Sequence, residues 1–215
     1  MNKVKIVLGK VWKVLRWVLL AAVILFILSI FIGLYGLHQQ HQYALQLAEK
    51  LDTDRVTMVD VMGGRLPPPP DQAENDKTLM GIDSNHNGVR DDVELAIFKL
   101  HPDSARIRAA ELQYAKYLQY TLDDMIFSGE VASTVDGRFM DSAIECLIET
   151  SDSFSGVTRD QIALENSMEK EVDNLVLDTE SRTSMNARFN EFSRTSGVSV
   201  PNGHGCDLDI KELQN

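Results

Sequence analysis

Residues 17–37 read WVLLAAVILFILSIFIGLYGL, and no side chain in this stretch carries a charge. At about 1.5 Å of rise per residue, a helix of this length spans the roughly 30 Å hydrocarbon core of a bilayer. Trp17 and Tyr35 lie near its two ends, where amphipathic rings favour the membrane interface. The stretch therefore predicts a single transmembrane helix, and no second apolar run of comparable length follows it.

Charge is distributed unevenly around this stretch. The first 16 residues contain five Lys and Arg and no acid, and the whole chain has a net charge of −11, so the part after residue 16 carries −16. Because basic residues beside a span favour the cytoplasm, we expect residues 1–16 to form a cytoplasmic tail and residues 38–215 to lie outside. A cleaved secretory signal is the alternative, but GLYGLHQQHQ lacks a small-residue cleavage site. The acidic outer part argues against binding to nucleic acid.

The motif with the most specific chemistry is DSNHNGVRDDVE at residues 83–94, which matches the calcium-loop pattern D-x-[DN]-x-[DN]-G-x5-E. Calcium prefers six to eight oxygen ligands. Residues at alternate positions of such a loop turn their oxygens inward, and Gly88 permits the sharp turn. The predicted Ca²⁺ ligands, including the main-chain carbonyl at position 7, are Asp83, Asn85, Asn87, Val89, Asp91 and Glu94. A metal-free Asx-rich turn that caps the next helix is the alternative.

These twelve residues resemble the EF-hand loop and, more closely, its dockerin-like bacterial version. The likeness covers only the loop and the helix after it. An EF-hand also has a helix before its loop, whereas residues 67–82 here read PPPPDQAENDKTLMGI. Position 8 differs as well, because it is Arg90 where paired EF-hands carry an aliphatic residue. Loops of the form GIDSNxNGVRDDVE are also similar to those of envelope proteins of Gram-negative bacteria. That similarity implies a bacterial periplasmic setting, and it supplies no function. Together with the predicted span, it gives an inner-membrane anchor with a periplasmic domain as the expected location. An unpaired loop with three carboxylates is expected to bind calcium weakly, with a Kd of about 10⁻⁵ to 10⁻³ M.

The rest of the outer part has the periodicity of amphipathic helices. Apolar residues recur at spacings of three and four over residues 92–100, 104–127 and 133–150. The same spacing appears in a fourth helix, which begins with the capping-box pair Thr158 and Gln161, and in a last helical stretch after it. We therefore expect an all-α fold, in which the transmembrane helix is followed by a small helical bundle with one EF-hand-like calcium loop.

Three further segments complete the expected division of the chain. Residues 38–78 form a juxtamembrane stalk and Pro-rich linker, residues 79–196 the calcium-loop helical domain, and residues 197–215 a C-terminal tail. Within the linker, residues 55–62 read RVTMVDVM, in which β-branched residues alternate weakly with others. This pattern predicts a short strand or an extended segment. The four prolines that follow it predict a stiff polyproline II spacer.

The chain has two cysteines, Cys146 and Cys206. An oxidising compartment favours a disulfide between them, which would tie the tail to the third helix of the domain. The rival interpretation of NGHGCDLD is a nucleophilic dyad of His204 and Cys206, or a transition-metal site that adds Asp207 and Asp209. Neither has a specific pattern behind it, so we expect a structural role and predict no catalytic residue.

Catalytic signatures are missing from the sequence: it contains no nucleophile elbow, zinc-protease motif, P-loop or dinucleotide fingerprint. We therefore expect a non-enzymatic, membrane-anchored calcium-binding module that serves as a structural or protein-interaction component of the cell envelope, with another envelope protein as its partner. Two alternatives stay open. One is a periplasmic enzyme with a structural calcium, and the other is a calcium-responsive regulator or subunit of an envelope transport or secretion complex.

Overall fold

The computed structural model describes residues 2–53, 55–123, 140–151, 158–195 and 205–213. Some predictions fall partly or wholly outside these ranges, namely the second domain helix beyond residue 123, the third before residue 140, and the C-terminal tail at residues 197–204, which include His204. Over the described residues the chain is helical without a strand, which confirms the predicted all-α class. It divides into two compact units, Met1–Tyr43 and Ala44–Asn215.

Helix α1, Asn2–Thr53, contains the predicted membrane span. Its segment Leu15–Tyr43 has a mean hydropathy of 2.9 in its most apolar window, and none of that window is buried inside the protein. Trp17 and Ile32 are 73% and 72% exposed. A continuous apolar surface of this kind is rare on soluble proteins. By length and composition, this one helix is able to cross a membrane.

The unit Ala44–Asn215 is built around helix α5, Ala105–Thr121. The helices that pack against it include α4 (Asp91–Leu100), α6 (Asp141–Thr150), α7 (Arg159–Val176) and α8 (Glu180–Thr195). Every residue from 108 to 122 is buried, so α5 has no solvent-facing stripe along this stretch. The tyrosines at 114, 117 and 120 are among these core residues.

Burial of α5 on all sides requires hydrogen-bond partners for its polar side chains. Gln113 donates from Nε2 to the carbonyls of Ser142, at 3.1 Å, and Gly205, at 3.0 Å. Gln119 donates from Nε2 to the carbonyl of Met80 at 2.6 Å. These bonds connect α5 to α6, to the C-terminal tail and to the segment before the predicted calcium loop, so the central helix sets the positions of all three.

Side-chain caps define where two of these helices begin. Thr158 and Gln161 form the predicted capping box of α7, with Thr158 N–H donating to Oε1 of Gln161 at 2.9 Å. Ser104 caps α5 by accepting the N–H of Ile107 on its Oγ at 3.2 Å. Such caps satisfy main-chain donors that have no partner inside the helix.

The strand or extended segment predicted for residues 55–62 is wrong, because Met58–Val61 forms a short helix, α2. Thr57 and Asp60 make a capping box, in which Asp60 accepts the N–H of Thr57 at 2.9 Å. Val61 is fully buried. The capping box and the burial of Val61 favour a helical turn more strongly than the weak alternation of β-branched residues favours a strand. A second short helix, α3 at Gln72–Asn75, follows the prolines.

The tail is fastened to the domain in the predicted way. Cys146 of α6 and Cys206 lie in disulfide geometry with their Cα atoms 4.4 Å apart, which confirms the predicted pairing. Next to it, Asp207 Oδ2 accepts the N–H of Val56 at 2.8 Å. Ile210, in a 3₁₀ turn at Ile210–Glu212, is 1% exposed. The described part of the tail therefore belongs to the folded unit.

Candidate metal centres

The predicted calcium loop lies directly before α4. The N–H of Asp91 donates to the carbonyl of Ile82 at 2.8 Å, which closes the base of the loop. His86 and Gly88 have φ values of 57° and 84°. These values lie in the left-handed region, which glycine enters without steric cost. Gly88 therefore has the conformation that the motif requires at position 6.

Asp83, at position 1, organises the turn. Its Oδ1 accepts the N–H of Asn87 at 3.2 Å, and its Oδ2 accepts the N–H of Gly88 at 2.9 Å. Asn87 in turn accepts the N–H of Val89 on its Oδ1 at 2.9 Å, which is an Asx turn. Both oxygens of Asp83 therefore face the inside of the loop.

Glu94, at position 12, closes the loop from the first turn of α4. It is 1% exposed, and its Oε2 accepts from Nδ2 of Asn85 at 2.9 Å. Burial raises the pKa of the Glu94 carboxyl to about 6, against the opposing hydrogen bonds of the asparagines at positions 3 and 5. The negative charges of Asp60 and Asp83 add to the rise. A buried carboxylate with two amide partners and nearby negative charge is a site that a cation would stabilise.

The remaining two predicted ligands have different surroundings. Asp91, at position 9, is 1% exposed, and both its oxygens are engaged by Ser84, through the main-chain N–H at 2.9 Å and the hydroxyl at 2.8 Å. Val89 lies at position 7 with its side chain buried. The structure thus brings Asp83, Asn85 and Glu94 together, whereas the Asp91 carboxylate is held by Ser84 across the loop.

This arrangement is suited to a hard cation. It offers carboxylate and amide oxygens within one small loop and no nitrogen or sulfur ligand, which is the ligand chemistry that Ca²⁺ prefers. Because Asp83, Asp91 and Glu94 carry the formal charge, a divalent ion would neutralise most of it. The side chains present therefore fit calcium, and Asp83 and Glu94 are the carboxylates best placed to hold it.

Arg90, at position 8, points away from this loop. It is fully buried and binds the end of α7, where its Nη2 donates to the carbonyl of Leu175 at 2.9 Å and its Nη1 to that of Val176 at 3.3 Å. Asp92, at 2.5 Å, and Asp178, at 3.1 Å, pair with its charge. The described residues contain no second calcium-type loop with which position 8 could pair. Arg90, at position 8, contacts the C-terminal end of α7 in its place.

The segment before the loop is anchored by polar contacts as well. Asn75 is fully buried, accepts the N–H of Ile82 at 2.8 Å and donates to Asp92 at 2.9 Å. Asn85 donates to the carbonyl of Arg65 at 2.9 Å. The loop is therefore continuous with the packed chain on both sides, although no full-length helix precedes it.

A second cluster, which the sequence analysis did not predict, joins three elements of the domain. Nε2 of His101, at the end of α4, lies 3.0 Å from Oε1 of Glu171 on α7 and 3.2 Å from Oε1 of Glu111 on α5. One ligand atom from each of these residues lies within 4.8 Å of the other two. The approach to Glu171 is a hydrogen bond, whereas that to Glu111 is a charge-pair distance without hydrogen-bond alignment.

Glu111 has an unusual environment. Its side chain is 0% exposed, and neither carboxylate oxygen has a hydrogen-bond partner among the residues that the structure describes. Burial raises the pKa of the Glu111 carboxyl to about 9, and the negative charge of Glu171 adds to the rise. Such a group is expensive to keep charged in the core unless a cation lies beside it.

The sequence held one signal of this cluster. Glu111 lies four residues after Ile107 and three before Tyr114, so a carboxylate interrupts the apolar stripe of α5. His101 and Glu171 are 70 residues apart, and only tertiary packing brings them together. For the rival interpretation of the tail as a dyad or metal site, His204 lies outside the described residues, and the sulfur of Cys206 is joined to Cys146.

Comparison of the chain with family models, with curated proteins and with solved structures gave no match.

Proposed function

We propose that this chain is a membrane-anchored, periplasmic calcium-binding module that serves as a structural or protein-interaction component of the cell envelope. The observation that carries the proposal is the pair of carboxylates, Asp83 and Glu94, that face one loop of the calcium-binding pattern. Asp83 draws the loop around itself through the N–H groups of Asn87 and Gly88. Glu94 is buried beside Asn85 from the opposite side.

The contacts around the loop support a structural role for the ion. Asn85 binds the carbonyl of Arg65, and Arg90 binds the last turn of α7. An ion in the loop would therefore hold together the linker, α4 and the end of α7. Weak affinity suits such a role in a compartment whose calcium follows the external medium, because the site then stays filled without competition from cellular buffers.

The apolar helix and the cysteine pair support the proposed location. Five basic residues precede Leu15–Tyr43, which favours a cytoplasmic N-terminus and an outer C-terminal unit. Disulfides persist in oxidising compartments, so the geometry of Cys146 and Cys206 agrees with delivery to the periplasm. A fusion of alkaline phosphatase to the C-terminus, which is active only outside the cytoplasm, should be active. Activity of a reporter that works only in the cytosol would contradict this topology.

Calcium binding is tested on the full chain in detergent micelles. At a calcium concentration 100 times the Kd, a single site should raise the free energy of unfolding by about 2.7 kcal/mol. The stabilisation should disappear in Glu94→Gln and Asp83→Asn, and it should persist in the control Glu165→Gln, whose carboxylate lies on α7 away from the loop. Equal stabilisation of the two loop variants and the control would overturn the calcium assignment.

The interaction role needs a separate test. The chain is isolated from membranes in mild detergent, once with calcium and once with a chelator, and its complexes are separated by size. A stoichiometric complex with another envelope protein that needs calcium and an intact Glu94 supports the proposed role. Recovery of the chain by itself under both conditions would contradict a protein-interaction role.

A further inference from the structure

We propose that His101, Glu111 and Glu171 form a second metal site, which takes a divalent transition-metal ion of the Zn²⁺ class. The three side chains come from α4, α5 and α7, the helices that form one side of the core. They supply one imidazole and two carboxylates, a ligand set that suits zinc and its neighbours in the first transition row. The site shares no residue with the calcium loop, so the proposal does not depend on calcium binding.

The distances in the cluster fit such an ion. Zinc binds nitrogen and oxygen ligands at about 2.0 to 2.2 Å, so two ligands of a tetrahedral ion lie about 3.3 Å apart. His101 Nε2 lies 3.2 Å from Glu111 Oε1 and 3.0 Å from Glu171 Oε1. Both distances are close to that spacing, and the oxygens of Glu111 and Glu171 lie within 4.8 Å of each other, so a modest approach of the two carboxylates would seat the ion. Calcium would need several more oxygen atoms than this cluster offers.

The Glu111 carboxylate is the independent observation that points to a cation. Gln113, another buried polar side chain of α5, has partners at both ends of its amide: Nε2 donates to the carbonyls of Ser142 and Gly205, and Oε1 accepts the N–H of Asp207. Glu111 is equally buried, and its two oxygens have no hydrogen-bond donor within the described ranges. A metal ion bound to these oxygens would compensate for the lost solvation.

A charged histidine alone does not complete the site. The hydrogen bond between His101 Nε2 and Glu171 Oε1 uses the one hydrogen that Nε2 can carry. Glu111 then receives no hydrogen bond from the ring at 3.2 Å. A metal ion replaces that hydrogen and interacts with both carboxylates at once, so it satisfies all three side chains where a proton satisfies two.

The surroundings hold the histidine in place and leave access from solvent. Arg108 donates from Nη1 to the carbonyls of His101, at 2.6 Å, and Pro102, at 2.8 Å, so the main chain at this point is fixed from α5. The side chains of His101 and Glu171 are 21% and 30% exposed. An ion can therefore enter from that side, and water can occupy the fourth position of a three-residue zinc site.

The test uses the full chain in detergent micelles, stripped of metal and then titrated with Zn²⁺ against a chromophoric chelator. We expect one equivalent to bind per chain. His101→Gln and Glu111→Gln should each weaken binding by more than the roughly 10- to 100-fold that loss of a supporting hydrogen bond costs. Co²⁺ in the same site should give the visible absorption of a four-coordinate ion in the wild type and not in either variant.

Control variants separate this site from others in the chain. Glu165→Gln on α7 and Asp83→Asn in the calcium loop should retain the full zinc equivalent. Zinc binding that survives in both His101→Gln and Glu111→Gln would overturn the proposal, because the ion would then be held elsewhere, for example by His38 and His41 on α1. Failure of the wild type to bind one equivalent would overturn it as well.

A folding measurement guards against variants that bind no metal because they are unfolded. In the metal-free protein Glu111→Gln should be at least as stable as the wild type, since it removes a buried carboxyl group that lacks a hydrogen-bond partner. With Zn²⁺ present the order should reverse. A Glu111→Gln protein that is less stable than the wild type by the same amount with and without Zn²⁺ would contradict the proposal and would identify the cluster as an ion pair.

Discussion

The guanidinium of Arg90 donates from Nη2 to the main-chain carbonyl of Leu175 at 2.9 Å. One side chain thereby connects position 8 of the calcium-type loop to the last turn of α7. Carbonyls at the end of a helix have no donor within the helix and lie at the negative end of its dipole. The buried guanidinium of Arg90 donates hydrogen bonds to these carbonyls and places a positive charge at the negative end of the dipole. Arg90, which departs from the EF-hand pattern, therefore has a structural role of its own.

Replacement of Arg90 should therefore be severely destabilising. Arg90→Leu removes the side-chain donor of two terminal carbonyls of α7 and a buried charge partner of Asp92 and Asp178, so we expect a loss of about 3 to 5 kcal/mol in the free energy of unfolding. Urea unfolding of the full chain in detergent, followed by near-ultraviolet circular dichroism of the buried tyrosines, measures it. Arg159→Leu, at an exposed position of α7, is the matched control. A loss in Arg90→Leu no larger than in the control would contradict the assigned role.

Gly81 should tolerate no side chain, because it lies against Arg90. Its φ is +65°, and an added Cβ would collide with Cδ of Arg90 and come within 2.7 Å of Oδ1 of Asn75. We expect Gly81→Ala to lower the free energy of unfolding by more than about 1 kcal/mol, since alanine is strained at positive φ even without a clash. Gly36→Ala is the control, because a Cβ there meets no described atom within 4 Å. Equal unfolding midpoints for the two variants would refute the prediction.

The buried Glu94 carboxyl should make the stability of the metal-free protein depend on pH. Its pKa is about 6 in the folded chain and about 4.5 in the unfolded chain. Between these values the unfolded chain loses a proton that the folded chain keeps, so the stability present below pH 4.5 falls as pH rises through 6. The fall should amount to about 2 kcal/mol.

The Glu94→Gln variant isolates this contribution. In metal-free protein, the difference in unfolding free energy between wild type and Glu94→Gln should shift by about 2 kcal/mol against the wild type from pH 4.5 to pH 7. With calcium at pH 7 the wild type should become the more stable of the two. A difference that stays constant with pH would mean that Glu94 has an ordinary pKa in the folded protein.

Reduction of the cysteine pair should destabilise the domain. Cys146 and Cys206 are 60 residues apart in the chain, for which the chain-entropy model gives about 4 kcal/mol. We expect a reductant to lower the free energy of unfolding of the wild type by this order. The double variant Cys146→Ser with Cys206→Ser should unfold identically with and without reductant. Sensitivity of this variant to the reductant would assign the effect to something other than the disulfide.

The features that could be predicted from the sequence are those that depend on neighbouring residues. The capping box of Thr158 and Gln161, the apolar periodicity of α4 and the sharp turn at Gly88 are local signals, and a helix or a loop was expected at each. Calcium binding by residues 83–94 stays a prediction. The same type of local signal was overlooked at Thr57 and Asp60, whose capping box begins α2. Weak β-branched alternation was given more weight there than the cap.

Features that depend on distant contacts could not be predicted. The periodicity of α5 predicted one apolar stripe, yet Gln113 and Gln119 are buried because carbonyls from three other segments reach them. The sequence shows that Arg90 occupies position 8 of the loop, but the burial of its side chain against Leu175 depends on where α7 ends. The cluster around Glu111 has the same origin, since no spacing within the sequence connects residues on three different helices.

The hydrogen bond between Val56 and Asp207 places the entry and the exit of the folded unit side by side. Proteins with adjacent termini tolerate circular permutation and insertion into a host loop. A short Gly-Ser linker from residue 213 to residue 55 would therefore circularise the chain of the folded unit. New termini could then be placed in a surface turn, where the cut separates no pair of packed helices. The domain could in this way be transplanted as a cassette into a carrier protein, where both of its junctions would emerge at one point of the surface.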